Sequence, residues 1–399
     1  MVSPHREDPY SIFADLRQEE PVCHSPIFNM WLISRHDDVV QMLNDPRRFT
    51  AEGAFSKLSA AFQPEAWALL SQSHTFTALN MLISEAEHTR LRGPLSKLFA
   101  AQQIARHEAM IRRTAAALID RFAPGGPVDL IEQFAYPLPL QVLFELVGAP
   151  MEDVLEIQRG VEAVAACMLS VVPPDQQVEV ARRVLAYERY WIDLIARRRA
   201  DPRDDILSTL VQAIDAGEAR LSQPELVATI SANLILGGHE TTVKAIGNGL
   251  YHLLTHRERW QALIDDPTLI PGAVEELIRL DGVSLGFFRT TTEPVEVRGV
   301  TIPRGETVLL LYASANRDER RFEGPATFDP RRPNLNDHVG FGRGVHYCLG
   351  AHLARMELRV VLELLTTRLP GLRLVPDQEL RYASSLAMRG LEHLMATWG

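Results

Sequence analysis

Along most of the chain, apolar residues recur at three- and four-residue spacing, the period of a helix that buries one face. Ile12, Phe13 and Leu16 set this pattern near the start, and Asp37–Leu43 repeats it up to Asp45-Pro46. Ile111–Phe122 is a third amphipathic stretch, stopped by Ala123-Pro124-Gly125-Gly126-Pro127. Leu138–Val147, Val154–Leu169 and Arg182–Arg199 follow, separated by Gly148-Ala149-Pro150 and Pro173-Pro174-Asp175. Such Pro and Gly clusters end helices because proline lacks an amide donor and glycine pays the most backbone entropy. A longer apolar pattern, from about Pro224 to His256, reads as one helix. Only short runs carry strand character: Met30–Ile33, Pro294–Pro303 with Arg304-Gly305 as a hairpin, Thr307–Leu311, and a final hairpin after residue 370. The pattern predicts a mainly α chain with small β-sheets near 20–35, 283–312 and 372–399, and by length alone two or three domains are possible. Residues 51–83 hold no sustained period and read as a helix fragment with a long loop.

Composition narrows the class. A chain of 399 residues with 46% hydrophobic and 23% charged residues can build a large core. A formal charge of −10 argues against a nucleic-acid binder. Cys23, Cys167 and Cys348 are few, odd in number and far apart, so the expectation is a reducing compartment without a disulfide framework. The first ten residues are polar, and no run approaches the ~18 apolar residues of a membrane span. A soluble cytoplasmic protein without a membrane anchor is expected.

The densest chemistry lies between His338 and His352. Glycines at 340, 342 and 344 permit tight turns and close approach of a flat partner, and a helical pattern begins just after Cys348. A thiolate there benefits from the helix dipole and free amides, which lower a thiol pKa. From the residues alone, three readings stay open. One is an inert buried thiol. The second is zinc shared with His352, four residues on, although no second cysteine lies nearby. The third is a metal-bound thiolate. The run Phe341-Gly342-Arg343-Gly344-Val345-His346-Tyr347-Cys348-Leu349-Gly350 resembles the haem-binding loop of the cytochrome P450 family, Phe-Gly-x-Gly-x-His-x-Cys-x-Gly, with every defined position filled.

Two more stretches carry the resemblance in the right order. Gly237-Gly238-His239-Glu240-Thr241-Thr242 places two glycines, an acid and hydroxyls inside a helix pattern. Each such glycine costs about 1 kcal/mol relative to alanine, so the pair marks either a packing notch or room for something. The run is similar to the family's oxygen-activation segment. Glu276 and Arg279 sit three apart on one helix face and resemble its structural Glu-x-x-Arg, with Arg332 as third partner. The resemblance implies the cytochrome P450 fold as a single domain over residues 1–399 and a haem-thiolate monooxygenase of the bacterial type, with haem b on Cys348 as metal ligand. It implies cofactor contacts from His88, Arg92, Gly237, Gly238, Arg289, His338, Phe341, Gly342, Arg343, His346 and Gly350. It makes Glu240 and Thr241 the catalytic pair for proton delivery to bound dioxygen. Phe76, Leu79, Met81, Leu82, Leu234, Leu285, Phe287 and Leu386 are expected to line the pocket of a small hydrophobic substrate. No flavin or iron–sulfur motif occurs in these residues, so electrons are expected from an acidic ferredoxin or similar partner. Arg343, His352, Arg355 and Arg359 form a cationic stripe that could receive it. The alternatives are a haem sensor or carrier without turnover, and a peroxide-driven enzyme. An intact Cys348 weighs against the first, and an intact Glu240–Thr241 pair against both.

Overall fold

Helices dominate, as the apolar spacing requires, and the chain divides into two compact units. The computed structural model describes residues 8–54, 62–77, 84–169, 172–383 and 387–399. Unit 1 comprises Met1–Thr50, Ala105–Leu138 and Thr241–Gly399; unit 2 comprises Ala51–Ile104 and Pro139–Glu240. Every strand among the described residues belongs to unit 1.

The main sheet of unit 1 has strand order β1 (Val22–Ser25), β2 (Met30–Ile33), β8 (Thr307–Leu310), β5 (Phe287–Thr291), β3 (Phe49–Thr50). Here β2 and β8 run parallel and the other pairs antiparallel. Ile33, Val308 and Leu310 are fully buried and join Val39, Met42, Leu43, Phe49, Tyr312 and Val339 in one apolar cluster. That cluster seats the helix His36–Leu43 on the sheet and ends at Val339, just before the cysteine loop. Strand β1 carries Cys23, His24 and Ser25, whose polarity hides it from a hydrophobic reading. Strands β3 and β4 (Val128–Asp129) have two residues each, too few to show a period. The expected hairpin after Pro294 is β6 (Val295–Val297) with β7 (Val300–Ile302). Its turn is Arg298-Gly299, with φ of 50° and 78°, the left-handed pair that a two-residue hairpin turn requires. Strands β4, β10 (Met395–Thr397) and β9 (Arg373–Leu374) form a third small sheet in the order β4-β10-β9.

In unit 2, Val154–Leu169 packs against Gln177–Ala200. The latter starts five residues before the apolar pattern begins at Arg182. Gln177 is buried there, donating to the Val172 carbonyl and accepting from Gln63 N–H, so a polar residue is accommodated inside. The expected helix from Pro224 is three segments end to end. Gln223–Ala228 opens with a capping box from Ser222 and Glu225, Thr229–Leu236 is wound as a π-helix, and Gly237–Thr255 is α-helical. Wide π turns inside longer helices are uncommon and recur at functional sites. Among the described residues, no helix is long and apolar enough to cross a membrane.

Candidate active site

The cysteine loop belongs to unit 1. Its backbone closes on itself: Cys348 N–H donates to Phe341 O at 2.9 Å, Gly342 N–H to Val339 O at 2.9 Å, and Tyr347 N–H to Gly344 O at 3.1 Å. Gly344 has φ of 68°, and a Cβ there would stand 2.5 Å from Leu43 O, so only glycine lets the loop lie on the end of the His36–Leu43 helix. The helix Ala351–Arg368 starts three residues after Cys348, and Cys348 is exposed. An exposed position does not match a small hydrophobe packed in the core. Among the described residues Cys348 belongs to no group of three His, Cys, Asp or Glu ligand atoms, whereas structural zinc takes four.

Side chains behind the loop hold it from far away in sequence. Arg355 makes a two-pronged pair with Glu275 (Nε to Oε1 2.6 Å, Nη2 to Oε2 2.9 Å) and donates to the Tyr347 hydroxyl at 3.0 Å. Its guanidinium lies 4.5 Å from the centre of the Phe341 ring. His338 is buried, with Nε2 3.0 Å from Glu275 Oε2 and Nδ1 accepting Gly340 N–H. Burial pushes the Glu275 carboxyl up, but hydrogen bonds and charges from His338 and Arg355 outweigh it and bring the pKa down to about 2. Both ring nitrogens of His338 are engaged inside the chain, so His338 braces the loop. Glu275 is the residue that sequence reasoning missed, since its partners lie 63 and 80 positions away.

Glu276, Arg279 and Arg332 come together as one buried ion cluster. Arg279 donates from Nε and Nη2 to the two Glu276 oxygens at 2.7 and 2.8 Å, and Arg332 Nε reaches Glu276 at 3.3 Å. The segment bearing Arg332 can approach because Gly272 faces Pro330 O, where a Cβ would stand 2.0 Å away. Arg279 also donates to the carbonyls of Asn316 and Pro325 at 2.8 Å, and Asn316 Oδ1 accepts Val339 N–H at 2.7 Å. The cluster therefore buttresses the start of the cysteine loop.

Arg289 and Phe287 are two apart on β5 and share a face. Arg289 is buried, donates to Phe288 O at 2.7 Å and hydrogen-bonds the Tyr312 hydroxyl. Tyr312 in turn stacks at a tilt on Phe287 and stands beside Gly342, 3.5 Å from where a Cβ would be. This links the arginine strand to the loop. Leu285, like Phe287, is half-buried.

The expected cationic stripe is corrected. Arg359 pairs with Glu108 at 2.7 Å and Glu363 at 3.3 Å, and Arg355 with Glu275. Both charges are offset within the chain, which leaves exposed His352 and half-buried Arg343. Val345 and Tyr347, both exposed, add an apolar component that the charge pattern did not show.

Unit 2 carries His88 and Arg92 on the helix Glu85–Leu98, which Ser84 caps by accepting Glu87 N–H. His88 is buried and Arg92 half-buried. On the same helix Arg90 pairs with Glu225 and Glu87, so the helix is tied to the capping box at Ser222. Gly238 behaves as a packing notch, a Cβ there lying 3.1 Å from Leu143. Gly237 is exposed, and a Cβ would meet only Ala232 O, at 3.6 Å, so Gly237 is the open position. Glu240 and Thr241 are half-buried in the first turns of Gly237–Thr255, whereas His239 between the glycines and the acid is buried. Leu234 is buried in the π-helix, and Phe76 is half-buried in the short helix His74–Thr77. Leu79, Met81, Leu82 and Leu386 lie outside the described residues.

The family model described as cytochrome P450 matches residues 260–369. Over 97% of its length the chain is 37% identical to cytochrome P450 107B1 of Saccharopolyspora erythraea and covers 94% of it. It is 38% identical to a mycinamicin IV hydroxylase/epoxidase of Micromonospora griseorubida over 97% of this chain and 94% of that protein. A vitamin D(3) 25-hydroxylase of Pseudonocardia autotrophica is 37% identical, with 98% and 94% covered. The solved structure of cytochrome P450 CREJ in complex with (4-ethylphenyl) dihydrogen phosphate superposes with a TM-score of 0.91 at 31% identity, covering 99% of this chain and 98% of that one.

Proposed function

Because the chain belongs to the cytochrome P450 family and is a haem-thiolate monooxygenase of its bacterial type, we propose that it oxidises a bulky apolar secondary metabolite, using haem b and an external ferredoxin-like donor. One observation carries the reading: Cys348 stands at the head of a helix, on a loop closed by its own backbone hydrogen bonds and braced from behind by ion pairs. The residues fit the cofactor chemically. A Cβ on nearby Gly350 would meet nothing within 4 Å, as close approach of a flat macrocycle needs. Thiolate-ligated haem supplies dioxygen activation and O–O cleavage.

The chain's own residues do the rest. Cys348 Sγ would be the iron ligand, its thiolate favoured by the following helix. His88, Arg92, Arg289 and His346 offer cationic or hydrogen-bonding groups for the two haem carboxylates, and Phe341, Gly342, Arg343 and Gly350 shape the loop against the ring. Gly237 leaves room for a diatomic ligand. Glu240, half-buried and so within reach of solvent, takes up a proton, and the Thr241 hydroxyl passes it on. Phe76, Leu234, Leu285 and Phe287 would contact an apolar substrate, and Leu79, Met81, Leu82 and Leu386, outside the described residues, are the further candidates. Relatives named for mycinamicin IV and for vitamin D(3) support a large hydrophobic molecule. The donor would meet Val345, Tyr347, Arg343 and His352.

The test is spectroscopic. Reduced protein with carbon monoxide should show a strongly red-shifted Soret band, and Cys348→Ala should lose it. An ordinary haem spectrum, or a band that survives the substitution, overturns the assignment. Thr241→Ala should consume electrons without matching product; unchanged coupling removes Thr241 from the proton path.

A further inference from the structure

Unit 2 contains a buried hydrogen-bond network that none of the family motifs uses. Glu188, in the helix Gln177–Ala200, is 3% exposed. Its carboxylate accepts from the Ser73 hydroxyl, from His74 N–H at 3.0 Å and from Thr75 N–H at 2.7 Å. Ser73 Oγ also accepts Phe76 N–H at 3.3 Å. Glu188 and Ser73 together thus satisfy the free amides at the start of the short helix His74–Thr77, which has too few residues to be stable by itself. Thr75 is buried and shares a 2.9 Å hydrogen bond with Ser231, which lies in the π-helix Thr229–Leu236. The Ser231 carbonyl accepts from the Tyr187 hydroxyl at 3.1 Å, and Tyr187 neighbours Glu188 on the same helix.

We propose that Glu188, Thr75 and Ser231 form a latch that sets the position of Phe76 against the π-helical segment carrying Leu234, and so selects ligands by apolar bulk. The physical grounds are three. A carboxylate buried this deeply is retained only where its donors are well placed, and here three donors from one short segment converge on it. The π-helix frees backbone groups from the regular ladder, and the Ser231 carbonyl has an outside partner in Tyr187. Phe76 and Leu234 are connected through the latch by only Thr75 and Ser231, one and three residues away. These are positioning residues, since they hold lining groups and need not touch substrate. The proposal rests on the haem-thiolate reading for its binding assay and not for its structural assay.

Thr75→Val keeps the shape of the side chain and removes the link to Ser231. The probes are imidazole and 4-phenylimidazole, which differ by one apolar ring, read as Soret shifts of the haem-loaded protein. Loss of one buried hydrogen bond corresponds to about a fivefold change, so Thr75→Val should weaken 4-phenylimidazole by about that factor and leave imidazole within about twofold. Ser231→Ala should match it, and the double variant should be no weaker than either single one. Equal effects on both azoles, no effect on either, or additive losses overturn the latch. Backbone hydrogen exchange reads it without haem. Each single variant should speed exchange in both 74–77 and 229–236, and a change confined to one segment also overturns it. Absence of any Soret shift in the wild type would count against the haem reading, leaving exchange to decide on the latch.

Discussion

The cysteine loop and the short helix at His74–Thr77 are each held by a glutamate from a distant helix, but by different chemistry. Glu275 holds the loop with an ion pair and a ring N–H: a two-pronged Arg355 and His338 Nε2 face it. Glu188 holds the short helix with neutral donors, two amides and a hydroxyl. Hydrogen bonds to a carboxylate are charge-assisted in both places, but pairing with an arginine adds direct Coulombic attraction. The loop that would carry the iron ligand gains that addition. The segment next to the proposed substrate pocket is held by hydrogen bonds alone, about 1.5–3 kcal/mol each, a balance that a ligand can bias. A third glutamate, Glu357, defines the limit. It is buried with Oε2 lacking a hydrogen-bond partner, and burial alone raises its carboxyl to about 8.

Substitutions can sharpen this contrast. The largest loss is expected at Glu276→Ala, which strands Arg279 and Arg332 in the core; breaking a buried ion cluster costs about 3–5 kcal/mol of unfolding free energy. Arg355→Ala leaves Glu275 with His338 alone and should cost about 2–3 kcal/mol, seen by thermal unfolding and by a broadened Soret band of the carbon monoxide complex. Acid titration gives a similar magnitude. The Glu275 pKa is depressed from 4.5 to about 2 on folding, so its contribution is fully present above 4.5 and lost as pH falls toward 2. That loss is on the order of 3 kcal/mol, and Glu275→Gln should flatten this part of the stability curve. Glu357 works in the opposite sense. Its raised pKa makes folding less favourable as pH climbs from 4.5 toward 8, so Glu357→Gln should be stabilising near pH 8, with the difference shrinking toward pH 4.5. Glu188→Gln should cost about 1–3 kcal/mol, and Thr75→Val, the mildest, about 0.5–1.5 kcal/mol. If Glu188→Gln destabilised more than Arg355→Ala, the contrast between charged and neutral anchoring would be wrong.

What could be read from the chain divides by sequence distance. Helices such as Val154–Leu169 were legible because their apolar period is local and long. The π-helix at Thr229–Leu236 was not, since its residues keep an apolar character that fits any buried helix. Strand Val22–Ser25 exists because Met30–Ile33 pairs with it, not because its residues prefer strand. In the site, Cys348 and its ten-residue motif were legible as contiguous chemistry. The bracing role of His338 was not legible: it sits beside the motif, while the Glu275 it bonds is 63 residues away. Arg355 and Arg359 looked like a free cationic stripe because nothing near them in sequence shows that Glu275 and Glu108 neutralise them.

By itself, then, the sequence determined the kind of reaction: a thiolate ligand at a helix start, an acid and an alcohol in a helix turn, and cations at helical spacing are all properties of residues within one or two turns of each other. Only the tertiary structure decided which charged groups are committed to the scaffold, which glycines make room, and what holds the segment before residue 78. Those depend on burial and on partners brought from far along the chain, where a hydrogen bond's worth is set by the dielectric and geometry around it rather than by the residues that flank it.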